Sequence, residues 1–165
     1  MFNKLNLTFP IINYSGGQHI ITYGRSPSLT YYTVSAKLDL SMFKYKPTIR
    51  YCEIVGGGFL RPHIDHAITC CVNFYIQSNS CTTHFYEAQA GARRERYNGK
   101  TTSNLYDVND LNEVSSFVAA DGDCYLLDVS QIHSVSIPKS GVRKFLSFNW
   151  FDHSYEEIKE SLTCN

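Results

Sequence analysis

Short hydrophobic segments rich in β-branched and aromatic residues follow one another along most of the chain, and they predict β-strands. From Tyr32 to Leu38 every second residue is hydrophobic, which is typical of a strand with one buried face. The other predicted strands are residues 48–55, 68–77, 82–88, 114–120, 124–128, 132–137 and 143–150. Turn sequences at 56–58 (GGG) and 121–123 (DGD) separate some of them. Many short strands with regular turns predict a sandwich or a barrel.

The last residues of the chain have a different pattern, which predicts a helix. Ser154 and Glu157 have the spacing of a capping box, in which each side chain satisfies a backbone N–H group of the other. Tyr155, Ile158 and Leu162 then recur at helical spacing. The sequence therefore predicts a mainly β fold with a C-terminal helix, as one domain over residues 1–165.

Residues 91–112 are poor in hydrophobic side chains and are predicted to form a long loop. This segment carries Arg93, Arg94 and Arg96 close together. A cluster of this kind can attract an acidic substrate, but a solvated surface loop is the favoured interpretation.

Composition and charge limit the partners that we expect. The chain has 165 residues with 15 basic and 15 acidic side chains, so nothing predicts nucleic acid or an anionic membrane as a partner. We find neither a long apolar run nor a secretory signal, which predicts a cytoplasmic protein. The six cysteines do not form C-x-x-C pairs, so we expect free buried thiols.

Three residues form a candidate metal site. In the sequence PHID (62–65), His63 and Asp65 are two apart, so on a strand both side chains point to the same face. His133 lies far along the chain in another apolar strand. Two imidazoles and one carboxylate form the ligand set that binds Fe(II) and leaves coordination positions open. The alternative is an ordinary surface pair at 63 and 65 with a hydrogen-bonded core histidine at 133.

Arg143 follows ten residues after His133, on a strand with many apolar residues. Arginine is seldom buried without a partner, and its planar guanidinium suits a carboxylate. The partner is either a structural carboxylate such as Asp128 or the carboxylate of a bound ligand.

These residues and the segments around them resemble the Fe(II)- and 2-oxoglutarate-dependent dioxygenases, in particular the prolyl-hydroxylase branch. The resemblance covers roughly residues 51–150 and leaves out the first fifty. It rests on the following segments: GGGFLRPHIDH (56–66), CCVNFYIQ (70–77), THFYEA (83–88), DGDCYLLDVSQIHSVSI (121–137) and GVRKFLSFNW (141–150). An isolated H-x-D is weak, but the four residues in apolar strands together are a strong signal.

The resemblance implies a double-stranded β-helix, or jelly roll, with its core at about residues 47–151. It implies that Fe(II), 2-oxoglutarate and O₂ are used, with ascorbate as a supporting reductant. His63, Asp65 and His133 would bind the iron, and Arg143 would bind the far carboxylate of 2-oxoglutarate. Tyr75 would also form a hydrogen bond with that carboxylate. The expected reaction is hydroxylation of a C–H bond in an amino-acid side chain, with proline first, in a protein or peptide.

Several assignments stay open at this point. Asn73 shares a strand face with Tyr75 and would meet the cosubstrate or the substrate, but ordinary core packing is nearly as good an explanation for both. Phe145 stands where some branches have a cosubstrate-binding serine. Thr83 and Phe85 are weak candidates for the pocket wall, and Trp150 either lines the pocket or packs in the core.

Two other classes of protein compete with the dioxygenase interpretation. The first is a cupin-like jelly roll that binds a metal without 2-oxoglutarate, which would not explain Arg143. The second is a structural β-domain, which would not explain the two histidines and the aspartate. His66 directly follows the motif and points to the opposite strand face, so we exclude it as a ligand.

Overall fold

The computed structural model describes residues 1–7, 18–22, 28–34, 38, 40–98, 102–138 and 141–163. Within these ranges the chain forms thirteen strands, one α-helix and a short 3₁₀ helix, Val108–Asp110. The strands are β1 (Phe2–Leu5), β2 (Gln18–Thr22), β3 (Ser28–Thr33), β4 (Thr48–Val55), β5 (Gly58–Ile64), β6 (Cys70–Gln77), β7 (Thr82–Ala88), β8 (Arg94–Asn98), β9 (Thr102–Tyr106), β10 (Leu111–Val118), β11 (Cys124–Leu127), β12 (Ile132–Ile137) and β13 (Val142–Trp150). The helix is α1 (Tyr155–Thr163).

The strands form two antiparallel sheets. The first has seven strands in the order β1-β11-β6-β13-β4-β3-β2, and the second has six in the order β10-β7-β12-β5-β9-β8. Neighbours in space are often distant in sequence, as β13 is from both β4 and β6. The mainly β, jelly-roll fold with a C-terminal helix is therefore confirmed.

The largest buried cluster contains side chains from the facing sides of the two sheets. Ile54, Tyr75 and Phe145 come from the seven-stranded sheet, while Leu60 and Phe85 come from the six-stranded sheet. Because side chains alternate along a strand, every second residue of a regular strand segment can reach this interior. The candidate site lies in the same interior.

The helix α1 packs against the outer face of the seven-stranded sheet. Its Ile158 is buried in a second cluster with Leu126, Phe148 and other residues. The capping box that the sequence predicts is present, because Ser154 N donates to Glu157 Oε2 at 2.7 Å and Glu157 N donates to Ser154 Oγ at 3.3 Å. Trp150 belongs to this outer cluster, and its indole N–H donates to the carbonyl of Tyr45 at 3.0 Å. It therefore packs in the core and does not line the site.

The predicted loop at 91–112 is wrong. This segment forms β8, β9 and the 3₁₀ helix, and β9 pairs with β5 next to the candidate metal site. The physical reason is that β8 lies at the edge of its sheet, where polar residues fit and hydrophobic alternation is weak. Glu95 of β8 forms an ion pair with Arg61 of β5, in which Oε2 lies 2.7 Å from Nη1.

The strand predicted from Tyr32 to Leu38 is shifted. The observed strand β3 ends at Thr33, and Val34 and Leu38 pack against the outer cluster without belonging to a strand. Ala36 lies outside the described residues. An apolar alternation over a few residues does not distinguish a strand from a packed irregular segment.

Two further predictions concern thiols and membranes. Cys52, Cys70, Cys71, Cys81 and Cys124 are buried and free, as predicted, and Cys164 lies outside the described residues. Among the described residues, no helix is both long enough and apolar enough to span a membrane.

Candidate metal centre and adjoining pocket

The three predicted metal ligands come together in the structure. His63 on β5 and His133 on β12 are direct partners across neighbouring strands, and their ring centroids lie 4.4 Å apart. Asp65 follows the end of β5, and its Oδ1 lies 3.5 Å from Nε2 of His63. One ligand atom from each of the three residues lies within 4.8 Å of the others. This spacing is suitable for a single metal ion.

Both imidazoles are oriented by the backbone. Nδ1 of His63 lies 2.8 Å from the carbonyl oxygen of Arg61, and Nδ1 of His133 lies 2.9 Å from that of Gln131. A carbonyl only accepts, so each Nδ1 carries the proton and donates. When the imidazole is neutral, its Nε2 therefore keeps a lone pair for a metal. Hydrogen bonds of this kind fix the tautomer and the ring orientation in known metal sites.

The ionisation of Asp65 and His133 favours a metal, whereas that of His63 opposes it as the pH falls. Burial alone would raise the pKa of the Asp65 carboxyl, but its interactions with the two imidazoles hold that pKa below its usual range, and Arg50 lowers it further. Burial and the neighbouring His63 lower the pKa of His133 to about 4. Burial lowers the pKa of His63 too, but Asp65 outweighs it, so the pKa of His63 is raised. At neutral pH the site therefore offers an anionic carboxylate and a neutral imidazole at 133.

A cavity of about 170 Å³ adjoins the three ligands. The seven-stranded sheet contributes alternate residues to its wall: residues 50, 52 and 54 of β4, residues 71 and 73 of β6, and residues 143, 145, 147 and 149 of β13. The six-stranded sheet contributes Leu60, Thr83 and Val135 with the two histidines. The metal ligands therefore face a wall that is largely made by the other sheet.

Arg143 lines this cavity and is almost fully buried, with 2% of its surface exposed. Its Nη2 donates to Thr83 Oγ1 at 2.9 Å, and its guanidinium lies over the ring of Tyr75 at 4.5 Å. Its Nε and Nη1 have no hydrogen-bond partner in the described part of the chain. The suggested structural partner, Asp128, instead contacts the N-terminal amine at 3.9 Å and the hydroxyl of Ser130. The interpretation of Asp128 as the structural partner of Arg143 is therefore wrong.

Tyr75 and Asn73 lie on the predicted strand face, in different surroundings. Tyr75 is fully buried beneath the guanidinium of Arg143 and is not part of the cavity wall, and burial raises the pKa of its phenol. Asn73 does line the cavity. Neither the Tyr75 hydroxyl nor Asn73 Oδ1 makes a well-formed hydrogen bond among the described residues, although Asn73 and Thr83 are close enough to the phenol to lower its pKa. Their predicted roles in cosubstrate binding stay predictions.

The residues that the sequence ranked lower fall into two groups. Thr83 is in the pocket and bonded to Arg143, whereas Phe85 is buried in the core and does not line the cavity. His66 is not one of the three clustered ligands, but it is exposed at the wall of the same cavity and does not occupy an opposite strand face, because β5 ends at Ile64.

Sequence reasoning missed the polar residues on the opposite wall. Arg50, Ser147 and Asn149 line the cavity, and Ser147 Oγ donates to Asn149 Oδ1 at 3.0 Å. The available signal was strand parity, because Arg50 alternates with Cys52 and Ile54 in TIRYCEIV, so a charged residue occupies an inward position.

No protein-family model matches this chain, and no curated protein matches it in sequence. Among solved structures, it is similar to vicilin from Capsicum annuum, with a TM-score of 0.44, 11% identity, and coverage of 79% of this chain and 30% of that one. It is also similar to the capsular polysaccharide assembling protein CapF from Staphylococcus aureus, with a TM-score of 0.35, 12% identity, and coverage of 82% and 31%. A CapF structure with the inhibitor 3-isopropenyl-tropolone gives a TM-score of 0.34 at 12% identity. This chain therefore spans about 30% of the length of each of these three structures.

Proposed function

We propose that this protein is an Fe(II)- and 2-oxoglutarate-dependent dioxygenase that hydroxylates a C–H bond of an amino-acid side chain. The observation that carries the proposal is the buried guanidinium of Arg143, two of whose nitrogens have no partner among the residues that the structure describes. It lines the same cavity as His63, Asp65 and His133. A metal site next to a buried, unpaired cation is suited to an anionic ligand that reaches both.

The residues fit a divalent iron. Two imidazole Nε2 atoms and one carboxylate are the donors that bind Fe(II) in many oxygenases, and they occupy only part of its coordination sphere. The partners of both Nδ1 atoms are backbone carbonyls, so the rings are held without using a further side chain. His63 and His133 are also buried, which limits competition from water.

The residues also fit a dicarboxylate. A buried charge without a partner destabilises a protein by several kcal/mol, so a site that contains one is suited to a ligand of opposite charge. The two unpartnered nitrogens of Arg143 leave donors for a carboxylate, while Thr83 and the Tyr75 ring fix the orientation of the guanidinium. Tyr75 does not line the cavity, so its proposed role as the second group at that carboxylate rests on its hydroxyl, which makes no well-formed hydrogen bond among the described residues.

When bound, iron and 2-oxoglutarate supply the oxidising chemistry, in which decarboxylation of the keto acid is coupled to hydroxylation of the substrate. The protein has to bind and orient the reactants and to exclude water from them. His63, Asp65 and His133 hold the metal on one wall, and Arg143 orients the keto acid from the other. Leu60, Ile54 and Val135 make much of the remaining wall apolar, which limits water around the reacting groups.

The class of substrate is proposed from the sequence. The segments around PHID and NFYIQ resemble the prolyl-hydroxylase branch, so a protein or peptide with proline is the first choice, ahead of a free amino acid. The balanced charge of the chain agrees with a partner other than nucleic acid, because proteins that bind nucleic acids normally carry a basic surplus.

Two successive experiments test this proposal, the first on ligand binding and the second on turnover. Anaerobic protein should bind about one equivalent of Fe(II), Mn(II) or Co(II), and His63→Ala and His133→Ala should each lose it. Metal-loaded protein should then bind 2-oxoglutarate and release succinate when O₂ and a suitable peptide are added. Metal binding without any affinity for 2-oxoglutarate would refute the proposal and favour a cupin-like metal protein.

A further inference from the structure

The cavity contains a second arginine, Arg50, at a distance from Arg143. Arg50 on β4 pairs in register with Ser147 on β13, which is four residues beyond Arg143 on that strand. At about 3.3 Å per residue, the backbone positions of the two arginines differ by about 13 Å along the strands. Arg50 therefore lies toward one end of the cavity, where the half-exposed Phe151 also contributes to the wall.

Arg50 has a cation–π contact but no ion pair within the described part of the chain. Its guanidinium lies 4.8 Å from the centre of the Tyr31 ring. None of the ion pairs among the described residues includes it. Stacking on an aromatic ring fixes the plane of a guanidinium and leaves its N–H groups available to an anion.

The charges in the cavity do not balance without a further anion. Among the described residues of the wall, Arg50 and Arg143 are cations, and Asp65 is the only acidic side chain. With a divalent metal added, the wall carries three positive charges in excess. The two carboxylates of 2-oxoglutarate balance two of them, so one positive charge remains. The remaining positive charge lies at the partly exposed Arg50, and a ligand with one negative charge would neutralise it.

A second, independent feature lies in the same row of residues as Arg50, two strands away. Ser147 pairs in register with Asn73 on β6, so Arg50, Ser147 and Asn73 form a row across three adjacent strands. Asn73 is 7% exposed, and its Oδ1 has no partner among the described residues. A buried acceptor without a donor costs about 1–3 kcal/mol, so this oxygen is suited to an N–H group of a ligand.

We propose that Arg50 binds a carboxylate of the substrate, with Asn73 accepting an adjacent amide N–H, so that the substrate is an amino-acid unit with a free carboxylate near the oxidised carbon. This inference rests on the proposed function. The carboxylate has two possible sources, an acidic side chain within a peptide or the terminal carboxylate of a peptide or amino acid. Both present the same group to Arg50.

Two matched pairs of small ligands distinguish these sources. The first pair is the N-acetyl methylamides of aspartate and asparagine, and the second is N-acetylglycyl-proline and its primary amide, which both keep the glycine N–H. Within each pair, the members have nearly the same shape and differ in the carboxylate. Their affinities are measured by calorimetry on Mn(II)-loaded protein with saturating 2-oxoglutarate and without O₂, so no turnover is needed.

We expect the acidic member of one pair to bind at least about tenfold more tightly than its neutral partner, as a charge-assisted hydrogen bond implies. Arg50→Met should abolish this preference, and Arg50→Lys should keep part of it. Arg93→Met is the control, because it removes an arginine whose side chain is 85% exposed outside this cavity. Mn(II) and 2-oxoglutarate affinities are measured on the same samples.

The outcomes separate this inference from the proposed function. Equal binding of both members of each pair, no binding of any member, or a preference that survives Arg50→Met would overturn the role of Arg50. If Arg50→Met changes only Mn(II) affinity, Arg50 acts on Asp65 and not on substrate. If wild-type protein binds no 2-oxoglutarate, the proposed function fails, and the same pairs titrated into the Mn(II) protein alone still decide whether Arg50 prefers a carboxylate.

Discussion

Replacing Arg143 by methionine should separate a structural arginine from one that binds a ligand. Methionine is similar in length and apolar, so it keeps much of the packing against Tyr75 and Phe145. The substitution removes one hydrogen bond from a charged donor to Thr83, worth about 1.5–3 kcal/mol, and a cation–π contact worth about 0.5–2 kcal/mol. It also removes a buried charge with no anionic partner among the described residues, which costs several kcal/mol. We therefore expect ligand-free Arg143→Met to be about as stable as wild type, or more stable.

In contrast to its effect on stability, Arg143→Met should weaken the binding of 2-oxoglutarate. Loss of one partner of a buried charge pair typically costs about 3–5 kcal/mol, which is a loss of affinity of more than about a hundredfold. In wild type, ligand at about 100 times its Kd should add about 2.7 kcal/mol to the free energy of unfolding. For a domain of this size that corresponds to a rise in Tm of about 5–11 °C.

The assay is thermal unfolding of Mn(II)-loaded protein with and without 2-oxoglutarate under anaerobic conditions. Wild type should show the rise in Tm, whereas Arg143→Met should show almost none at the same ligand concentration. Lys144→Met is the matched control, since it removes a positive charge from the same strand, where Lys144 pairs with Glu53 at 3.8 Å. If Arg143→Met is strongly destabilised without ligand yet retains the full rise in Tm, Arg143 has a structural role and the reasoning is refuted.

Three further predictions follow from the geometry. Tyr75→Phe should weaken 2-oxoglutarate binding by about 1 kcal/mol, the value of one hydrogen bond, and unchanged affinity in a calorimetric titration would exclude Tyr75 from the site. Metal uptake should weaken as the pH falls, because the raised pKa of His63 favours its protonated form and a histidine that binds a metal must be neutral. Affinities for Co(II) that do not depend on pH between about 5 and 8 would contradict this. Ser154→Ala should lower the free energy of unfolding by about 1 kcal/mol through loss of the N-cap, and chemical denaturation measures it.

The local part of the site was predictable from the sequence because strand geometry fixes it. Residues two apart on a strand share a face, so His63 and Asp65 were expected together. The position of His133 beside them depends on the pairing of β5 with β12, whose partners are about seventy residues apart in sequence. No local pattern encodes that pairing. The resemblance to a known family supplied it, and the structure then placed the three ligands within one coordination sphere.

Features that depend on the sheet as a whole were less predictable. Arg50 belongs to the cavity only because β4 pairs with β13 in the register that sets Arg50 opposite Ser147. The strands β8 and β9 were predicted as a loop because their polar composition is compatible with either structure, and only their pairing with β5 decides. Arg143 was correctly expected to be buried, but only the three-dimensional structure shows that two of its nitrogens have no partner in the described part of the chain.

An irregularity in strand pairing explains how an apolar core residue and a metal ligand come to face the same interior. Between Leu60 and His63 on β5 there are three steps, whereas their partners Val135 and His133 on β12 are only two apart. The extra residue is a β-bulge. With strict alternation, one of the side chains of Leu60 and His63 would point outward, whereas the bulge lets both point inward. Pro62 lies in this bulge, where a residue without an N–H group does not cost a hydrogen bond of the ladder. In the sequence PHID the proline therefore has a structural reason, since it stands at the irregular step that turns His63 toward Asp65 and the cavity.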